Sequence, residues 1–310
     1  MENTRAKTTR NSLILLLTAT IWGMAFVSQS KGMDYMHPFT FNGVRSLIGA
    51  AGILLYILIS RKIAGDKAAK LDWKRNVRAG LLCGIFLTIA STLQQFGIKY
   101  TSVGKAGFIT TLYIIFVPMF GIFLKKKVAP VVWAAAGMAA VGMYLLCMTE
   151  SLRLGAGDIM VFLCAIAFAI QIMTVDHYAA RIDGAVVSCI QFTVCGVVCC
   201  IGALIWGQPT FGQIQEGLGA LLYAGVLSCG VGYTLQIVGQ KGLNPTVAAL
   251  IMSLESVIAT ISGWIAYKIG FLSTDQTLTP RQIAGCVIVF AAVILVQLPP
   301  EWFRFGKKNA

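Results

Sequence analysis

The chain has 310 residues, of which 57% are apolar and 12% charged, and 25 Lys and Arg against 12 Asp and Glu give a formal charge of +13. Ordinary soluble domains are roughly half apolar and a quarter charged, so this chain has too little polar surface to cover a water-exposed globule. A nucleic-acid partner would call for cations gathered on a face or stripe. Here they fall in short clusters between apolar runs, which argues for an integral membrane protein in a lipid bilayer and against nucleic acid.

A bilayer core needs about 20 apolar residues per helix. Ten such runs are predicted, over residues 12–30, 38–60, 79–98, 103–124, 129–148, 157–177, 185–206, 214–239, 244–267 and 280–298. The first follows Arg5, Lys7 and Arg10, but Trp22, Met24, Phe26 and Val27 carry it past the length of a signal sequence. Asn244-Pro245 and Thr279-Pro280 place a capping side chain before a proline, a good helix start. His37-Pro38 and Ala129-Pro130 supply the proline without a strong cap. No connection is long enough for a soluble domain; the longest runs from Arg61 to Arg78. All nine cysteines (Cys83, Cys147, Cys164, Cys189, Cys195, Cys199, Cys200, Cys229 and Cys286) lie in apolar runs and read as packing residues. Cys195 and Cys199 share a helix face, but no His or carboxylate accompanies them, so no metal site is expected.

Orientation follows from Lys and Arg. With the N-terminus inside, the cytoplasmic segments hold Arg5, Lys7, Arg10, seven cations from Arg61 to Arg78, Lys125 to Lys127, Arg181, Lys241, Arg304, Lys307 and Lys308. That makes 18, against 6 outside (Lys31, Lys99, Lys105, Arg153, Lys268 and Arg281), and predicts both termini in the cytoplasm.

An offset of 142 residues aligns Leu93–Leu112 with Leu235–Leu254, and seven of those twenty pairs are identical, among them Gln94/Gln236, Gly97/Gly239 and Lys99/Lys241. Ser102 falls on Asn244, so a helix start recurs with a different capping residue. Two halves are expected, 1–150 and 151–310. Five spans per half is an odd number, so the second copy enters the bilayer from the opposite side. Inverted repeats suit secondary transporters, with the solute site between the halves near the midplane.

The run Gly97-Ile98-Lys99-Tyr100-Thr101-Ser102 before Phe108-Ile109-Thr110-Thr111-Leu112-Tyr113, and Gln240-Lys241-Gly242-Leu243-Asn244-Pro245 before Ser253-Leu254-Glu255-Ser256-Val257, resemble the drug/metabolite transporter superfamily, EamA type. The likeness covers Leu13 to Val296. The family's ninth span usually reads Leu-Glu-Pro-Val; here Ser256 stands where the proline would be, which leaves a kink there open. The resemblance implies small-solute transport, commonly export of amino acids or other metabolites.

Ionisable groups inside a bilayer are costly and therefore informative. Glu255 lies mid-span in the ninth helix, either as a protonatable coupling and gating group or as a buried carboxylate satisfied by hydroxyls such as Ser253 and Ser256. Arg45, about seven residues into the second span, either binds an anionic solute group or snorkels to the interface. Polar stripes recur on four spans: Asn42, Arg45, Gly49 and Gly52 on the second; Gly84, Thr88, Ser91 and Gln95, with Gln94 beside them, on the third; Ser188, Gln191 and Cys195 on the seventh; Gly225, Cys229, Gly232 and Gln236 on the eighth. The fifth and tenth spans lack an amide before Gln297 and are expected at the periphery. Trp22 and Phe26, Tyr113, Phe168 with Gln171, and Tyr233 are further candidates for a cavity wall.

An intramembrane enzyme is the main rival. Gly155-Ala156-Gly157-Asp158 fits a G-x-G-D motif, but two carboxylates must share a proton in that chemistry, and no other span has an interior Asp, so Asp158 reads as a helix cap. No nucleophile elbow, zinc-protease motif or P-loop appears. A channel is the other alternative. The sequence thus predicts an all-α integral membrane protein of ten transmembrane helices in a five-plus-five inverted repeat. Its expected work is alternating-access export of a small polar metabolite such as an amino acid across the cytoplasmic membrane. Trp22, Arg45, Gln94, Gln95, Gln191 and Gln236 are the solute-contact candidates, and Glu255 the coupling or gating group. The expected partners are a small-molecule solute, lipid and a coupling proton; no catalytic residue or cofactor is expected, and the oligomeric state is not read.

Overall fold

The structure is a computed structural model that describes residues 2–65, 71–101, 103–124, 128–147, 155–272 and 277–297. Ser102, Lys125 to Lys127, Arg153, Arg304, Lys307 and Lys308 lie outside the described residues, as do the side chains of Arg5, Cys147 and Gln297.

The described chain is helical, with no strand among the described residues. The helices are α1 (Glu2–Gly32), α2 (Pro38–Ala64), α3 (Trp73–Tyr100), α4 (Val103–Thr111), α5 (Tyr113–Phe123), α6 (Pro130–Cys147), α7 (Ala156–Tyr178), α8 (Gly184–Gly202), α9 (Phe211–Glu216), α10 (Leu218–Leu222), α11 (Tyr233–Gly239), α12 (Pro245–Met252), α13 (Glu255–Lys268) and α14 (Pro280–Gln297). Wider π-helical turns over Ala203–Gly207 and Tyr223–Gly232 continue α8 and join α10 to α11.

Among the described residues eight helical stretches are long and apolar enough to cross a membrane, where ten are expected from the sequence. They are Ala6–Gly32, Pro38–Ala64, Trp73–Tyr100, Val103–Phe123, Ala156–Arg181, Gly184–Gly207, Leu218–Gly239 and Pro245–Lys268. The expected fifth and tenth spans are the shorter α6 and α14. Among the described residues their apolar stretches run over Pro130–Gly142 and Pro280–Leu295.

Helix starts follow the capping residues. Asn244 Oδ1 accepts the Thr246 N–H at 2.9 Å ahead of Pro245, and Thr279 with Gln282 closes a reciprocal box around Pro280. His37 also caps, its Nδ1 accepting from Phe39 N at 3.4 Å. Asp158 does cap α7, accepting the Gly155 N–H at 2.9 Å.

Two spans are broken in mid-course, α4/α5 at Leu112 and α12/α13 at Ser253-Leu254, and Leu112 and Leu254 are 142 positions apart. The second break needs no proline. Leu254 N–H turns to the Ile251 carbonyl, and the Ser253 hydroxyl donates to the Leu250 carbonyl at 2.7 Å, a group that a break in lipid would otherwise orphan. The Ser256 hydroxyl adds a bond to the Ser253 carbonyl at 2.8 Å.

Lipid is as apolar as the protein interior, so close packing and polar contacts rather than the hydrophobic effect bring the helices together. The main pairings are α3 with α7 and α8, α2 with α8 and with Tyr223–Gly232, α1 with α13, and α6 with α14. A Cβ on Gly97 would lie 2.9 Å from the Gly157 carbonyl of α7, a backbone approach that only glycine allows. Long aliphatic side chains such as Leu54, Leu55 and Leu58 face outward.

Candidate functional site

The breaks and the pairings converge on a polar cavity of about 40 Å³ between α1, α2, α3, α4, α5, α7, α8, α11, α13 and the Tyr223–Gly232 turns. No residue of α6 or α14 lines it.

Arg45 reaches the cavity from α2 and is only 5% exposed. Its Nε donates to Asn42 Oδ1 at 2.9 Å, and Asn42 Nδ2 donates to the Ser91 carbonyl of α3, also at 2.9 Å. Asn42, one turn earlier on the same helix, thereby holds the guanidinium against a neighbouring backbone. The guanidinium carbon lies 5.4 Å from the Phe41 ring centre. Among the described residues no carboxylate is within ion-pair distance of Arg45.

Glu255 lines the same cavity from the first turn of α13. That position exists because the span breaks just before it, and the positive end of the helix dipole favours a carboxylate there. Its Oε1 accepts from the Tyr113 hydroxyl at 3.1 Å, and no described cation pairs with it. One cavity therefore holds a buried cation and a buried carboxylate, neither joined to the other in an ion pair.

Amides complete the wall. Gln94 Nε2 donates to Thr110 Oγ1 at 3.2 Å, and Gln236 Nε2 donates to Gln171 Oε1, also at 3.2 Å. Trp22 Nε1 donates to the Ser228 carbonyl at 3.4 Å, while its ring lies 4.5 Å from Tyr233, centre to centre. Gln29 adds an Oε1 with no hydrogen-bond partner among the described residues.

The structure thus brings Trp22, Arg45, Gln94, Gln236 and Glu255 to one cavity. Gln95 and Gln191 are not in its wall. Gln95 turns to the Gln29 carbonyl, which its Nε2 reaches at 3.1 Å. Gln191 is fully buried on α8 behind Gly84, with neither amide atom partnered among the described residues. Gln29, Ser46, Thr110 and Ser228 belong to the wall without having been singled out from the sequence. The repeat held a signal for Gln29, since Gln171 follows it by 142 residues.

That offset runs through the whole site. Phe26/Phe168, Gln29/Gln171, Leu87/Cys229, Ser91/Tyr233, Gln94/Gln236 and Tyr113/Glu255 are each 142 positions apart, and together they are twelve of the nineteen lining residues. Most of the neutral wall is therefore built from matching positions. The two charges differ: Glu255 has Tyr113 at its counterpart in the same wall, whereas Arg45 has Val187, which does not line the cavity.

Eight described helical stretches long and apolar enough to cross a membrane define a multi-pass membrane protein. The chain belongs to the EamA-like transporter family, whose sequence pattern matches residues 10–148 and again 155–298. An uncharacterized transporter of Archaeoglobus fulgidus is 27% identical over 290 residues, covering 92% of this chain and 84% of its own. The uncharacterized transporter YwfM of Bacillus subtilis is 24% identical over 295 residues, covering 94% of each. One solved crystal structure shares the fold at a TM-score of 0.73 and 16% identity, over 96% of this chain and 99% of that one.

Proposed function

We propose that this protein is a secondary active transporter that exports a small polar metabolite, an amino acid in the favoured case, across the cytoplasmic membrane. Both termini lie in the cytoplasm, and the halves 1–150 and 151–310 form a five-plus-five inverted repeat of ten spans. The observation that carries this reading is the polar cavity, in which twelve of nineteen lining residues pair at positions 142 apart and Arg45 and Glu255 stand unpaired to one another. A zwitterion satisfies both: its carboxylate meets the Arg45 fork and its ammonium the Glu255 carboxylate, with Gln94, Gln236 and Trp22 orienting the remainder. The charges come one from each half, so a bound solute bridges the two bodies that rock in alternating access.

A cavity of about 40 Å³ is far below the roughly 300–1,000 Å³ of a small-molecule site, which supports a contracted state that widens to load solute. Gln95 and Gln191, adjacent to the wall but outside it, join the solute contacts on widening. Glu255 is the group that takes up and releases a coupling proton.

The test is solute counterflow in proteoliposomes, guided by a metabolite comparison of cells with and without the chain. Saturable, competable flux of a zwitterion is expected. Non-saturating conductance would make the protein a channel, and conversion of a substrate in detergent would make it an enzyme. Accessibility labelling is expected to place the flanks of Lys99 and Lys241 on opposite faces; labelling from one face would overturn the inverted repeat.

A further inference from the structure

The crossing of α2 and α8 has two ends, and the sequence offset relates them. At one end Phe39 lies 5.2 Å from Phe96 and 5.5 Å from Trp206, ring centre to ring centre, with His37 5.4 Å from Phe96. These rings cluster at the junction of α2, α3 and the end of the α8 span, half-buried except for the more exposed Trp206. Adding 142 to Phe39 and Phe96 gives Arg181 and Val238, and subtracting it from Trp206 gives Ala64. All three counterparts line one other cavity, of about 620 Å³, at the opposite end of the same crossing. Where one end is filled by aromatic side chains, the equivalent end is left open by a small residue, an aliphatic one and a cation.

The lining of that second cavity is graded. Towards the middle of the spans it is uncharged, with Ile57, Val238 and Thr234 beside a 62% exposed Tyr56. At the rim it carries Arg61, Arg181 and Lys241 with Asp72 and Asp183. Both acids are engaged locally. Asp72 pairs with Arg75 at 3.4 Å and caps α3, and Asp183 Oδ1 accepts the Ala185 and Val186 N–H groups at the start of α8. Lys241 Nζ donates to the Ile182 carbonyl at 3.2 Å, which fixes the ammonium at the rim without neutralising it. Neither Arg181 nor Lys241 makes an ion pair with a described carboxylate. Asn76 ties the floor together, its Oδ1 accepting the Asp183 N–H at 2.9 Å.

The geometry points to a bound anionic phospholipid in this cavity, its phosphate between Arg181 and Lys241 and an acyl chain along Tyr56, Ile57 and Val238. Open space between helices that faces the bilayer takes up lipid, and basic pockets between spans attract acidic headgroups. The lipid takes the volume that Phe39, Phe96 and Trp206 take at the other end, and so supports the crossing on which α2 carries Arg45. The assignment goes beyond the proposed solute and is independent of it.

Native mass spectrometry of the full-length protein, released from micelles containing phosphatidylglycerol or phosphatidylcholine, tests the site. One phosphatidylglycerol is expected to be retained in preference to phosphatidylcholine. Each cation near an acidic headgroup contributes roughly fivefold, so Arg181→Gln with Lys241→Gln should weaken retention by about 25-fold. Ala64→Trp with Val238→Phe copies the aromatic filling from the other end and should expel the lipid with both cations present. If the charge variant is not recovered folded, the filling variant decides. Equal retention of the two lipids by the wild-type chain, or unchanged retention in the filling variant, overturns the proposal. So does full displacement by glycerol phosphate or inorganic phosphate, which would make this a site for a water-soluble anion.

Discussion

The Tyr113 hydroxyl donates to the Glu255 carboxylate across 3.1 Å, and the two residues are 142 positions apart, the step that aligns the two halves of the sequence. In a duplicated fold a residue meets its own counterpart only near the axis that relates the copies. Each follows directly on a broken span, Tyr113 after Leu112 and Glu255 after Leu254. The Tyr113–Glu255 contact thus joins the two broken spans directly.

Tyr113→Phe removes the one described hydrogen-bond donor to a buried carboxylate. It should cost about 1.5–3 kcal/mol, read as a lower melting temperature in detergent. Glu255→Gln keeps an acceptor for Tyr113 and should melt close to wild type, while the flux it supports loses its dependence on pH. Unchanged pH dependence in proteoliposomes would discard Glu255 as the proton site.

Arg45 and Asn42 should behave as a unit. Arg45→Lys keeps the charge but not the planar fork, and should weaken binding of carboxylate solutes by about tenfold or more, the value of a hydrogen bond to a charged group. Asn42→Ala leaves the guanidinium in place but unheld and should give a smaller loss. A solute whose carboxylate is esterified should discriminate little between these variants and wild type. Competition assays with acid and ester solutes make the comparison.

A part-buried ion pair ties the end of α3 and the start of α4 to α7. Asp158, 3% exposed, receives Lys105 Nζ at 2.6 Å, the Thr101 hydroxyl at 2.8 Å and the Gly155 N–H at 2.9 Å. Asp158→Asn should lower stability by about 2–3 kcal/mol and raise access of thiol reagents to a cysteine placed in the central cavity. The double variant with Lys105→Gln should lose less than the two single losses combined, since both changes break the same ion pair.

Gln191 offers a separation of stability from transport. Its buried amide has no described partner, and a buried polar group without one costs about 1–3 kcal/mol. Gln191→Leu should therefore melt at or above the wild-type temperature while losing flux. Flux retained along with stability would remove Gln191 from the path of the solute.

Much of this site could be read before any fold was known. Glu255, Arg45, Gln94 and Gln236 stand out because polar groups in a lipid-soluble run need a reason, and the repeat doubles the signal at Gln94 and Gln236. Gln95 and Gln191 carried the same signal, yet the structure leaves them outside the wall. A helical stripe fixes which side chains share a face. It does not fix which neighbour that face meets, and adjacent positions such as Gln94 and Gln95 point about 100° apart.

The sequence by itself determined that the chain lives in lipid, where its helices start and that the stretch Leu93–Leu112 recurs at Leu235–Leu254, because hydropathy, caps and internal identity are local properties. Only the tertiary structure decided which stripes converge, that the ninth span breaks at Ser253-Leu254 without a proline, and that Tyr113 and Glu255 touch. Those outcomes depend on how each helix is rotated about its own axis. With lipid and protein interior equally apolar, close packing and a few hydrogen bonds set that rotation, not hydrophobic pattern.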